Sequence, residues 1–304
     1  MVESVDANRI KFEELNIEDK AKELGLLAPI KDVLVRSSSA YKGMPVDVSS
    51  SKNQENLVDM REFGIKTIPY YLEQAQYNPT YGKNIPGAPD VIYAREGVCE
   101  ALQNVNNDLE PLGLEIVCYD AHRSPATQMK LYKSFLGIAF EKGLKGKEAQ
   151  DFALSYCSNP EGFDKNDPNT WTIHSTGAAV DVYLMDRNTQ KVIDLGEEYF
   201  DNPDDVTHTE HFENLQKENK LAPEQHGYLK ARRILYNAMN NNGFKNFGYE
   251  TFHYGMDDPW AALYEKTMKN NQTAKASYGY KESPKDNQLS NIMGALISNA
   301  SNKR

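Results

Sequence analysis

Two short patterns in the chain carry the residue types of a hydrolytic metal centre. The first is Thr172-Ile173-His174-Ser175-Thr176-Gly177-Ala178-Ala179-Val180-Asp181, with a histidine and an aspartate seven positions apart. The second is Glu250-Thr251-Phe252-His253. Two imidazoles and one carboxylate make a three-ligand set for a hydrolytic zinc, leaving a fourth position for water. A further Glu beside such a metal can serve as proton acceptor. His174, Asp181 and His253 are therefore candidate ligands, and Glu250 is the candidate base. An odd separation places two residues on opposite faces of a straight strand. His174 and Asp181 need a turn between them, which Gly177 can supply. Glu250 and His253 are three apart, so a shared metal requires a bend or bulge within 250–253.

The remaining histidines read differently. His208 and His211 lie in the acidic, loop-like stretch Thr207-His208-Thr209-Glu210-His211, where exposed polar side chains are expected. His226 follows Pro223 and reads as a loop residue. His122 neighbours Arg123, where a cation is unwelcome. Arg123 itself follows a buried-type strand, in Tyr119-Asp120-Ala121-His122-Arg123-Ser124-Pro125. One reading pairs it with Asp120 or leaves it at a loop edge. The other makes it an oxyanion stabiliser, because a guanidinium held at the end of a core strand stays charged.

The elements that must position these residues suggest an α+β domain. Apolar residues recur at helical spacing from Asp90 through Ile92, Val98, Leu102, Val105 and Leu109, and Pro111 with Gly113 ends the run. Leu114–Tyr119 reads as a strand. Ser124 caps a second helix with Pro125 at its first position. A third helix spans Lys147–Cys157. Ala178–Leu184 is a β-type run, and Gly227–Asn242 is a helix stopped by Gly243. Tyr249–Tyr254 is aromatic and Thr-bearing, hence strand-like. The helices and strands lack regular βαβ alternation, which argues against a doubly wound fold. Residues 1–55 read as an N-terminal extension with a short helix starting at Asn16. Residues 56–270 form the domain. Residues 271–304 read as a polar, mobile tail, with Ile292, Leu296 and Ile297 in at most a helical turn.

Composition excludes some functions. The chain has 304 residues and a formal charge of −10, which argues against nucleic-acid binding as its main role. No apolar run approaches the roughly 18 residues of a spanning helix. The first twenty residues lack the basic start and apolar stretch of a secretory signal. The expected compartment is the cytoplasm, or the periplasm if a leader precedes these residues. Cys99, Cys118 and Cys157 are too few and too scattered for a disulfide framework or a thiolate zinc site.

At these residues the chain resembles the zinc D-alanyl-D-alanine dipeptidases of the vancomycin-resistance type, within the wider zinc D,D-peptidase group. Four blocks carry the resemblance in order. Tyr119–Pro125 resembles the family's strand-end block closing in Arg-Pro, with Ser124 inserted. His174–Asp181 resembles its S-x-H-x-x-G-x-A-x-D pattern. Leu195–Asp201 resembles a Met-Gly-x-x-Phe-Asp block, one residue longer here. Glu250–His253 resembles Glu-Trp-Trp-His. The match covers roughly residues 56 to 265.

The resemblance implies a single domain with a central, mostly antiparallel sheet flanked by helices. It implies one zinc on His174, Asp181 and His253, with Glu250 as base and Arg123 on the developing oxyanion. It also implies a small dipeptide substrate, with Asp201 anchoring the free ammonium and Thr172 donating to the substrate carboxylate. For Asp201 a solvated acidic loop is the competing reading. Thr172 for Ser, and Thr251-Phe252 for Trp-Trp, bear on substrate preference and remove no ligand. The alternatives are a murein D,D-carboxypeptidase or endopeptidase, and a zinc-stabilised binding module without turnover.

Overall fold

The most apolar runs of the chain become its two central strands. In the computed structural model, which describes residues 4, 8–85, 88–200 and 205–284, the strands are β1 (Arg9–Ile10), β2 (Leu57–Asp59), β3 (Lys66–Thr67), β4 (Tyr93–Arg95), β5 (Leu114–Asp120), β6 (Ala179–Asp186), β7 (Val192–Ile193), β8 (Lys245–Asn246) and β9 (His253–Gly255). The α-helices are α1 (Glu18–Glu23), α2 (Ser51–Gln54), α3 (Tyr70–Glu73), α4 (Glu96–Leu109), α5 (Pro125–Glu141), α6 (Gly146–Tyr156), α7 (His211–Lys217), α8 (His226–Asn241) and α9 (Pro259–Met268). Every residue of β6 is buried, as expected of a strand covered on both faces.

The main sheet runs β1-β7-β6-β5-β3, with β9 joined to β6 and β8 to β9. It is mixed, which corrects the expected mostly antiparallel sheet. β1 pairs with β7, and β3 with β5, in parallel, while the pairs around β6 are antiparallel. α4 packs against β5 and α8, and α5 against α6.

Register decides which residues meet. Along β5 and β6 the ladder pairs Cys118 with Val182, then shifts so that Asp120 stands opposite Asp181. Without that bulge, Tyr119 would face Asp181 and Asp120 would point to the other side. On the far side of β6, Asp181 pairs with His253. One row across three strands therefore carries Asp120, Asp181 and His253.

Local signals explain several boundaries. Ser124 Oγ accepts from Thr127 N–H, and Pro125 opens α5. Gly113 ends the helical region in a left-handed conformation, φ +68°. The helix expected from Asp90 begins at Glu96, because Tyr93–Arg95 pairs with Leu57–Asp59 as a strand. The helix expected at Asn16 begins at Glu18, and Asn16 itself has φ +53°.

The ends of the chain are built into the domain as far as they are described. Phe12, Ala21 and Leu26 belong to the main apolar core. Of the stretch expected as a mobile tail, residues 271–284 are described, and within it Ala276 bridges to Val46 and Tyr278 is fully buried. Ile292, Leu296 and Ile297 lie outside the described residues.

The turn before β6 depends on one glycine. Ile173–Thr176 forms a 3-10 turn that Gly177 ends at φ +71°, and a Cβ there would run into the Leu57 side chain. Gly177→Ala should cost about 2 kcal/mol, from the strained φ and the overlap together. Chemical denaturation measures this, and a loss too small to resolve would show that the turn relaxes freely.

Candidate metal centre

His174, Asp181 and His253 offer ligand atoms that all lie within 4.8 Å of one another, and all three residues are buried. It is the one such group among the described residues. Asp181 and His253 come from paired positions on β6 and β9. His174 comes from the 3-10 turn, returned to Asp181 by the bend at Gly177. The expected irregularity between Glu250 and His253 is present. Residues 251–252 form a turn, with Glu250 N–H donating to Phe247 O at 2.8 Å and His253 N–H to Glu250 O at 3.3 Å. The strand expected over Tyr249–Tyr254 is thus shortened to His253–Gly255. Asn246, which sequence reasoning missed, holds this turn. Its side-chain amide donates to the carbonyls of Glu250 and His253 at 3.0 and 3.1 Å.

Hydrogen bonds fix the ring roles. His174 Nδ1 donates to Ala121 O at 2.7 Å. That leaves Nε2 as its lone-pair atom, 3.7 Å from Asp181 Oδ2. A backbone carbonyl behind a histidine is the usual means of orienting a ligand ring. His253 Nδ1 lies 2.8 Å from Asp181 Oδ1 and 3.6 Å from Glu250 Oε2. Burial holds the His174 imidazole well below its usual pKa, and the Arg123 charge adds to this. The ring is neutral at pH 7, the form that can bind a metal. Burial would raise the Asp181 carboxyl, but the imidazoles and Arg123 hold it below its usual range. Two imidazoles and an ionised carboxylate, converging in a buried pocket, fit a divalent metal such as zinc.

Arg123 is paired with Asp120, as the first of its readings expected. Its Nε lies 2.7 Å from Asp120 Oδ2, and its Nη2 lies 3.7 Å from Asp181 Oδ2. Nη1 donates to Gln128 Oε1 at 3.0 Å. Gln128 in turn donates to Ser158 O at 3.0 Å. Gln128 was not singled out from sequence, although its place in the first turn of α5 was a usable signal. Burial opposes the Arg123 charge most strongly of any single cause, but Asp120, Tyr71 and Asp181 together outweigh it and raise the pKa further.

A cavity of about 300 Å³ opens on this group. Arg123, Thr172, Glu250 and the three candidate ligands line it. The Thr172 hydroxyl is buried without a hydrogen-bond partner among the described residues. His208, expected to be an exposed loop residue, also lines the cavity, with its ring 4.9 Å from that of Tyr249. Ser38 and Tyr41 reach it from the expected extension. Cys118 is buried, and Cys157 is buried at the cavity wall. Asp201 lies outside the described residues.

The fold and site define a candidate metal centre in an α+β domain. No family model matches the chain. A curated D-alanyl-D-alanine dipeptidase from Synechocystis sp. is 28% identical over 195 residues, covering 61% of this chain and 77% of that protein. Among solved structures, the LdcB LD-carboxypeptidase aligns with a TM-score of 0.32 and 15% identity, over 79% of this chain and 95% of that one. No helix among the described residues is long and apolar enough to cross a membrane.

His122, beside Arg123, is held apart from the candidate ligands. Its Nε2 donates to Lys281 O at 2.9 Å, and burial pushes its pKa from 6.5 down to about 4. A depressed folded-state pKa means that the folded chain prefers the neutral ring. The resulting stability is present above pH 6.5 and is lost as pH falls through about 4. The loss should be on the order of 3 kcal/mol. A His122→Gln variant, unfolded by denaturant across this range, should lack that part of the acid dependence. An unchanged pH profile would remove His122 as its source.

Proposed function

We propose that this chain is a zinc-dependent dipeptidase hydrolysing D-alanyl-D-alanine or a closely related dipeptide. The observation that carries the reading is that the His174–Asp181–His253 group shares one cavity with Glu250 and Arg123. The similarity to a protein named as a D-alanyl-D-alanine dipeptidase supports the substrate class.

His174, Asp181 and His253 would hold the ion, which supplies Lewis acidity toward a carbonyl and lowers the pKa of water. Glu250 is the least buried of the group, its side chain 31% exposed, and it lines the cavity. It takes a proton from the attacking water and returns it to the leaving amine. Arg123, held between Asp120 and Gln128, presents a fixed positive charge to the oxygen that becomes negative. The Thr172 hydroxyl, buried at the cavity wall without a partner among the described residues, donates to the substrate carboxylate. Asp201 anchors the free ammonium by a charge-assisted hydrogen bond.

The deciding assay follows amino-acid release from free D-Ala-D-Ala and from an N-acylated D-Ala-D-Ala, with and without chelator. Chelator-sensitive cleavage of the free dipeptide alone is the expected result. Cleavage of only the acylated substrate would move the protein to the carboxypeptidase reading. Zinc binding without cleavage of either would favour a different dipeptide or a binding module. Glu250→Ala should keep bound zinc and abolish turnover, and full activity in that variant would refute its role as base. Arg123→Ala should lower kcat by about 10²-fold, as for loss of an oxyanion donor. Asp201→Ala should raise KM for the free dipeptide far more than for the acylated one.

A further inference from the structure

The segment around Lys281 meets the candidate site from behind. Lys281 N–H donates to Ser175 O at 3.0 Å, beside His174. Lys281 O accepts from His122 Nε2 at 2.9 Å, beside Arg123. One residue near the end of the described chain thus bonds to the neighbours of a candidate ligand and of the candidate oxyanion group.

Arg95 makes a second connection. It is fully buried, and its guanidinium donates to four carbonyls. Nε reaches Thr176 O at 2.7 Å, and Nη2 reaches Gly279 O at 2.8 Å. Nη1 reaches Asn53 O and Glu55 O at 2.9 and 2.8 Å. The Arg95 backbone N–H also donates to Gly177 O at 2.8 Å. The turn bearing His174 is therefore tied from Arg95 to residue 279 and directly to residue 281.

The returning segment is itself firmly seated. Tyr278 is buried, and its hydroxyl donates to Glu55 Oε2 at 2.8 Å. Gly279 N–H donates to Asn53 Oδ1 at 2.8 Å. Ser277 and Tyr278 both donate to Asp257 O, at 2.7 and 3.0 Å. These bonds join a segment after α9 to the stretch containing α2, with Arg95 between them. Neither end segment is needed to close the central β5-β6-β9 row, so their convergence on the His174 turn calls for another explanation.

We infer that residues 277–281 are a positioning element for the candidate metal centre. Through the Lys281 backbone and the Arg95 guanidinium, they fix the 173–177 turn and the 121–123 segment in the arrangement that presents His174 and Arg123. Lys281, Arg95 and His122 are positioning residues, and none of them takes part in the chemistry. Partners behind a metal ligand set its orientation, and losing one typically lowers metal affinity by about 10- to 100-fold. This inference rests on the metal-site reading, and its test keeps the two apart.

Lys281→Pro deletes the N–H that bonds Ser175, while Lys281→Ala keeps both backbone bonds and serves as the control. His122→Leu removes the other bond and decides the matter if the proline variant does not fold. Amide hydrogen exchange of the full-length, metal-free proteins is read first, followed by zinc titration and steady-state kinetics. Lys281→Pro and His122→Leu should speed exchange at residues 121–123 and 173–177, leaving the amides of β6 unchanged. Zinc affinity should fall about tenfold, and kcat should fall with KM for the dipeptide unchanged. Lys281→Ala should match the wild type in all three. Wild-type exchange and zinc affinity in both altered proteins would overturn the inference, as would acceleration spread evenly over the whole fold. If the wild type takes no zinc, the metal reading falls, and the exchange pattern decides the positioning role by itself.

Discussion

Asp181 is a carboxylate buried at 2% exposure in a strand buried along its whole length. An isolated charge there would cost several kcal/mol, so its surroundings must supply compensating groups. His253 answers from the paired position on β9, His174 from the turn, and Arg123 from the end of β5. Arg123 then needs partners of its own, which Asp120 and Gln128 provide. One buried carboxylate thus organises the meeting of three strands, a turn and the start of α5.

The geometry divides rigid from adjustable parts. Two candidate ligands sit in paired register on adjacent strands, where the ladder fixes their spacing. Glu250 sits beside a turn at the edge of the cavity, more exposed than the candidate ligands. That turn is held by the Asn246 amide rather than by the sheet. The bulge in β5 is equally consequential, since it brings Asp120 to the same face as Asp181 and so sets the direction of Arg123.

The wrapping of the chain ends changes how the domain is understood. A core of two long strands and a few helices leaves the His174 turn on its outer side. Residues 53–55 and 277–281 cover that side, meeting on the Arg95 guanidinium. Ser38 and Tyr41 contribute to the cavity wall. The end segments are therefore part of the environment of the site as well as of the fold.

Much of the site was legible because the chemistry of its residues is local. His174, Asp181, Glu250 and His253 stood out by type and spacing, and the odd separations called for the two turns that the structure contains. Ser124 with Pro125 marked the start of α5, because capping is decided within one turn of chain. Other features were not legible. Tyr93–Arg95 looked like the beginning of a helix, and only its pairing with Leu57–Asp59 made it a strand. The parallel edges of the sheet depend on partners far apart in sequence. The stretch after 270 carried no periodic signal, since its buried residues Ala274, Ala276, Tyr278 and Gly279 are seated against partners far back in the chain. The sequence by itself determined the candidate donor set and the need for a bend on either side of it. Tertiary structure alone decided the register that aligns Asp120, Asp181 and His253, and the return of the chain ends, because both depend on contacts between residues with no local relation.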